Sequence, residues 1–172
     1  NGSSAIKGQF FNSSGVSSGS ELSISTAGFN TAPAATLLQD GRVIVAWAAR
    51  ATSTSPEDIT VRVYNTDGTA AGPQFVVNST TIGTQDGVSL KTLADGRVAV
   101  SWTSEGEIRS TIINPFVYLG TAGADSWIGG SAAEELFGFA GIDTLFGNDG
   151  ADKLSGEAGE DQLHGGSSND VV

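Results

Sequence analysis

Cysteine and methionine are both absent from the 172 residues, which excludes a disulfide framework and a thiol nucleophile. Histidine occurs once, at His164, so there can be no HExxH zinc site, and Ser-His-Asp chemistry would have to borrow that single imidazole. No phosphate-binding loop is present, and the GxSxG letters that do occur, GVSSG at 15–19, lie in a polar, serine-rich stretch and make no nucleophile elbow. Bases are few: eight lysines and arginines stand against nineteen acids, for a net charge of −11, and nucleic acid is excluded as a partner for want of a basic patch. No apolar run is long enough to span a membrane, and no charged n-region with an apolar h-region marks a leader. Glu57, Asp58, Glu105 and Glu107 could in principle pair as glycosidase carboxylates, but they fall in polar, turn-like stretches. No catalytic residue is assigned.

The charge that is present is unevenly placed. Residues 116–172 hold ten acids and one base, Lys153, whereas residues 1–115 hold nine acids and seven bases. Within the acidic tail the chain repeats every nine residues: GTAGADSWI, GGSAAEELF, GFAGIDTLF, GNDGADKLS, GEAGEDQLH and the truncated GGSSNDVV. Glycine opens each unit at Gly120, Gly129, Gly138, Gly147, Gly156 and Gly165. The sixth place is a carboxylate, at Asp125, Glu134, Asp143, Asp152, Asp161 and Asp170. The eighth is large and apolar, at Trp127, Leu136, Leu145, Leu154, Leu163 and Val172.

Each unit divides into a six-residue turn and a three-residue strand. Glycines at the first and fourth places suggest backbone with φ > 0, and the middle strand residue points inward because side chains alternate. One such residue per nine is a thin core. Its burial contributes about 1.5–3 kcal/mol, against about 1–2 kcal/mol for ordering each backbone. Carboxylates stacked at the strand spacing of about 4.7–4.9 Å repel one another. A hard divalent cation with six to eight oxygen ligands would reverse that term, so the tail is expected to need metal to fold.

These residues resemble the nonapeptide of RTX (repeats-in-toxin) proteins, which wind into a calcium-loaded parallel β-roll. In the resemblance, turns eighteen residues apart share an ion, each giving an aspartate and carbonyls. It implies the pairs Asp125 with Asp143 and Asp143 with Asp161 on one side, in turns that also hold Gly120, Gly123, Gly138, Gly141, Gly156 and Gly159. On the other side it implies Asp152 with Asp170, and Glu134 with Asp152 as the weakest pair, in turns holding Gly147 and Gly150. Ala132 and Ser168 replace the fourth glycine there, while Thr121, Phe139, Asn148 and Glu157 replace the second glycine in their units. Two to four calcium ions are expected. The resemblance also implies a secreted bacterial protein exported unfolded by type I secretion, and a chain that stops inside a repeat at Val172 reads as a piece of a longer one.

A longer repeat lies upstream. LQDGRVIVAW from Leu38 to Trp47 recurs as LADGRVAVSW from Leu93 to Trp102, and FNSSG from Phe11 recurs as YNTDG from Tyr64. Asp40-Gly41 and Asp95-Gly96 between apolar runs read as hairpin turns; Val43, Val45 and Trp47 alternate as in a half-buried strand. Trp47 and Trp102 are read as core residues in preference to sugar-stacking platforms. The tail's ninth-place residues Ile128, Phe137 and Phe146 are apolar where an outward residue should be polar. They are expected to be covered, by the upstream domain or by the stretch from Pro115 to Leu119, with docking on the domain as the hypothesis; His164, also ninth, is expected to face solvent.

The expected architecture is all-β. An antiparallel domain of two blade-like or sandwich repeats spans 1–115, a linker 116–118, and a β-roll 119–172. The expected function is calcium binding coupled to folding. A glycan or cell-surface ligand on the β-domain, self-association through open sheet edges, and service as the tail of a secreted hydrolase are the alternatives.

Overall fold

The computed structural model describes residues 4–25, 28–79 and 83–172, and every regular element among them is a strand. β1 (Lys7–Phe11) and β2 (Ser17–Ser23) form an antiparallel hairpin. β3 (Phe29–Leu37), β4 (Val43–Arg50), β5 (Asp58–Tyr64) and β6 (Phe75–Val76) make an antiparallel sheet in that order. β7 (Gln85–Thr92), β8 (Val98–Ser104) and β9 (Glu107–Ile113) make a second.

The 55-residue repeat is structural. Gly41 and Gly96 turn the two equivalent hairpins with φ of 89° and 86°, in the left-handed region that favours glycine. Both β3 and β7 carry an irregularity at the same repeat position, between Thr31 and Ala34 and between Asp86 and Ser89.

Equivalent residues nonetheless meet different neighbours, because the sheets stack in series. Val45 and Trp47 face the β1–β2 hairpin with Ile6, Ile24 and Tyr64. Ile44, Ala46 and Ala48, with Ile59, Val61 and Val63, face the second sheet and meet Val98, Val100 and Trp102. β4 is therefore covered on both faces, and simple alternation did not describe it; an unbroken apolar run is the mark of a strand buried on both sides. On the far side of the second sheet Ser101 is half-buried, and Thr103, Ser110 and Ile108 are exposed. Trp47 and Trp102 are both core residues, 1 % and 6 % exposed, and the Trp102 indole donates to Gln85 Oε1 at 2.9 Å.

Six parallel strands follow: β10 (Val117–Leu119), β11 (Ser126–Ile128), β12 (Glu135–Phe137), β13 (Thr144–Asp149), β14 (Lys153–Ser155) and β15 (Gln162–Ser167). β10, β12 and β14 form one sheet and β11, β13 and β15 the other, so alternate units lie on the same side. Val117 and Tyr118, assigned from sequence to a linker, belong to the first strand. Tyr118, Trp127, Leu136, Leu145 and Leu154 fill the space between the sheets, with Leu163 half-buried beside them. Val172, eighth in the last unit, is exposed.

The roll sits on the β-domain through Trp127, which packs on Gly72: a methyl there would overlap the indole ring. The Ile128 N–H donates to Ala71 O at 3.2 Å. Phe137 and Phe146 find partners along the roll instead of on the β-domain. Phe146 stacks on His164 with centroids 4.6 Å apart, and Phe137 lies by Phe139 and under Lys153. Apolar ninth residues thus pair along the outer ladder, where parallel register puts Phe146 opposite the exposed His164.

Candidate metal centre

Parallel register at an eighteen-residue offset brings the sixth-place carboxylates into two ladders. Asp125, Asp143 and Asp161 line one; Glu134, Asp152 and Asp170 line the other. Each later aspartate is held by the turn before it. The Asp125 N–H donates to Asp143 Oδ1 and the Asp143 N–H to Asp161 Oδ1, both at 2.9 Å. The Glu134 N–H donates to Asp152 Oδ1 at 2.8 Å and the Asp152 N–H to Asp170 Oδ1 at 3.0 Å.

One oxygen of Asp143, Asp152, Asp161 and Asp170 is thereby fixed, and at Asp143 and Asp152 the second is left over. Asp143 and Asp152 are 0 % and 1 % exposed, and Oδ2 of each has no hydrogen-bond partner. An anionic oxygen buried without a partner is strongly disfavoured. Burial raises the Asp152 carboxyl above the usual carboxylate range, against the N–H of Glu134 that lowers it, and neighbouring Asp170 adds to the rise.

The first-place glycines crowd this oxygen. A methyl on Gly138 would fall on Asp143 Oδ2, one on Gly147 on Asp152 Oδ2, one on Gly156 on Asp161 Oδ2, and one on Gly165 would lie 2.5 Å from Asp170 Oδ2. Carbonyls converge on the same cradles. A methyl on Gly120 would meet Gly138 O and Phe137 O, at 2.5 and 2.9 Å, and one on Gly129 would meet Gly147 O. Fourth-place glycines are equally tight, Gly150 against Ala132 O and Gly159 against Gly141 O. Among the described residues no three His, Cys, Asp or Glu side chains cluster. Each candidate site is instead two carboxylates with backbone carbonyls, an all-oxygen set that fits a hard cation of loose geometry.

The left-handed turns correct one expectation. First-place glycines are not at positive φ; their role is close approach. The left-handed places are the second and fourth: Phe139 (72°), Asn148 (71°), Glu157 (64°) and Gly166 (102°), then Gly141 (136°), Gly150 (124°), Gly159 (154°) and Ser168 (94°). Phe139 and Glu157, which stand where the second glycine would, are therefore strained, by about 1–2 kcal/mol each. Glu157→Gly should relieve this at an exposed site. We expect a rise of a few degrees in the thermal midpoint at saturating calcium, measured by circular dichroism; an unchanged or lower midpoint would contradict the strain.

The first two turns differ from the rest. Thr121, Gly123, Gly130 and Ala132 lie outside the left-handed region. Asp125 Oδ2 accepts from the Thr121 N–H at 2.6 Å and from its hydroxyl at 3.0 Å. Glu134, 1 % exposed, accepts from the Gly130 N–H at 3.1 Å through Oε2 and from Arg42 Nη2 at 2.5 Å through Oε1. Burial pushes the Glu134 carboxyl up to about 7, against the lowering pull of the Arg42 guanidinium and the Gly130 N–H. Arg42 Nη1 donates to the Tyr118 hydroxyl at 2.9 Å, and burial pushes that phenol up to about 12. Nothing in the sequence tied Arg42 to the repeats; Tyr118 was signalled by standing nine residues before Trp127, in the register of the inward apolar place, and Glu134 by breaking the aspartate column.

The carboxylates weighed for glycoside chemistry are placed otherwise. Glu57 pairs with Arg50 at 3.6 Å, Asp58 accepts from Asn78 at 2.8 Å, and Glu107 pairs with Arg109 at 3.0 Å. Glu105 is in the tight β8–β9 turn at φ 50°.

Residues 137–172 match the family model of the RTX calcium-binding nonapeptide repeat, in four copies. Those are the four units whose turns adopt the left-handed conformations; the two units without them, 120–137, fall outside the match but for the boundary residue. No curated protein and no solved structure matches the chain.

Proposed function

We propose that the roll is a calcium-dependent folding module, with ions shared between Asp125 and Asp143, between Asp143 and Asp161, and between Asp152 and Asp170. The observation that carries this reading is the pair of buried, unpartnered oxygens, Asp143 Oδ2 and Asp152 Oδ2, in cradles that admit carbonyls and no Cβ. A bound calcium ion would supply the positive charge these ladders lack. The chain's own part is to hold one oxygen of each aspartate with a backbone N–H, so that the other is aimed before the ion arrives.

Calcium is scarce in cytosol and plentiful outside cells. A module that folds only with the ion would stay open for export and close on arrival, as the RTX resemblance implies for a secreted bacterial protein. The roll would then serve as a folding support for the β-domain it packs on. Far-UV circular dichroism of the whole chain during a calcium titration, with magnesium as control, tests this. Strand signal gained with calcium alone is the expected result; the same spectrum with and without either ion would overturn the reading.

A further inference from the structure

We infer that the Glu134 turn takes the guanidinium of Arg42 where the other turns take an ion, so that this turn is the seat of the β-domain and not a calcium site. The inference rests on the calcium reading for the remaining turns and concerns the one turn that departs from their pattern.

Four observations carry it. Both oxygens of Glu134 are already partnered, by Arg42 and by the Gly130 N–H, whereas Asp143 and Asp152 each keep a bare one. The Arg42 and Glu134 side chains are 3 % and 0 % exposed, so the pair lies out of reach of solvent. Gly130 is a glycine without a left-handed φ; what it supplies is room, since a methyl there would lie 2.8 Å from Arg42 Nε and 2.9 Å from Cζ. Glutamate's extra methylene suits a carboxylate that must leave its own turn to meet an outside partner.

The fourth observation comes from the second repeat. Asp40 Oδ2 accepts from Arg42 Nε at 2.5 Å, and Asp95 Oδ2 accepts from Arg97 Nε at 2.8 Å across the same hairpin. Arg97 and Asp95 are each 51 % exposed and carry no roll. The Asp–Arg fork is thus a property of the hairpin, formed before docking, and the roll closes on a guanidinium already held in place. Nη2 donates to Glu134 and Nη1 to the Tyr118 hydroxyl, and the Phe116 ring lies 5.4 Å from Cζ. A buried ion pair holds only where such further hydrogen bonds satisfy it, and the planar fork suits arginine where lysine would not.

The test uses the full chain and two readouts. Equilibrium dialysis at saturating calcium counts ions: Glu134→Gln should bind as many as the unaltered protein, while Asp125→Asn binds one fewer. A loss of one ion in Glu134→Gln would overturn the inference. Hydrogen exchange over residues 38–43 and 117–137 reads docking. Arg42→Gln and Glu134→Gln should each speed exchange there about tenfold, and together no more than either alone; Arg97→Gln should match the unaltered protein. Unchanged exchange in Arg42→Gln, or fully additive effects, would also overturn it. Should Arg42→Gln fail to fold, Arg42→Lys, which keeps the charge and loses the fork, takes its place with a smaller acceleration. If the unaltered protein bound no calcium at all, the calcium reading would fall, and the exchange results would still decide the clamp.

Discussion

Asp143→Asn should cost the protein two bound calcium ions, where Asp125→Asn costs one. Asp143 is the middle carboxylate of its ladder and stands between two turns, those of Asp125 and Asp161. Asparagine keeps an oxygen to accept the Asp125 N–H, so what the change removes is charge. The concentration of calcium at half-folding should rise by at least tenfold, or about 1.4 kcal/mol. Without calcium the sign should reverse. The buried Oδ2 then has no partner, and it faces like charges above and below at about 4.8 Å, so neutralising it should stabilise the metal-free chain. Urea denaturation with and without calcium reads both limbs. A variant weaker than the parent in both conditions would make Asp143 a hydrogen-bond acceptor and nothing more.

Trp127→Ala should be the most destabilising single change in the roll core, by about 3–5 kcal/mol in saturating calcium. The indole is 3 % exposed, tilts against Tyr118 with centroids 4.4 Å apart, and closes the joint with the β-domain over Gly72. Its Nε1 makes no hydrogen bond, so little polar bonding is lost with it. Gly72→Ala in the parent should cost about 1–3 kcal/mol by overpacking. In the Trp127→Ala background the same change should be near neutral, because the ring it strikes has gone. Denaturant midpoints of the four proteins give this cycle; a Gly72→Ala cost that persisted without the indole would place the joint elsewhere.

Much of the roll was legible because its signal is periodic and local. Nine residues per unit gave the turns, the inward apolar residue and the carboxylate column, while the two parallel sheets and the eighteen-residue ladders were what the RTX resemblance implied. The dihedral angles were not legible: glycine at a first place and glycine at a fourth look alike in sequence, although one answers to crowding and the other to φ. Nor was the joint. Arg42 and Glu134 lie 92 residues apart, and nothing local marks either as a partner, apart from the glutamate in a column of aspartates. In the β-domain the repeat gave equivalent strands and left blades and a sandwich both open, so the equivalence of Val45 and Val100 was legible while the cover on Ile44 was not.

That stacking gives the β-domain a grammar. Pairing register sets Ser101, Thr103 and Ser110 in the second sheet at the places of Ala46, Ala48 and Val61 in the first. Ala46, Ala48 and Val61 are sealed beneath the next sheet, while Thr103 and Ser110 are open to water. Two copies of one sentence differ in a few letters, hydroxyls standing where the first copy has methyls, while Ile108 and Ile112, 85 % and 53 % exposed, keep apolar side chains on the same open face.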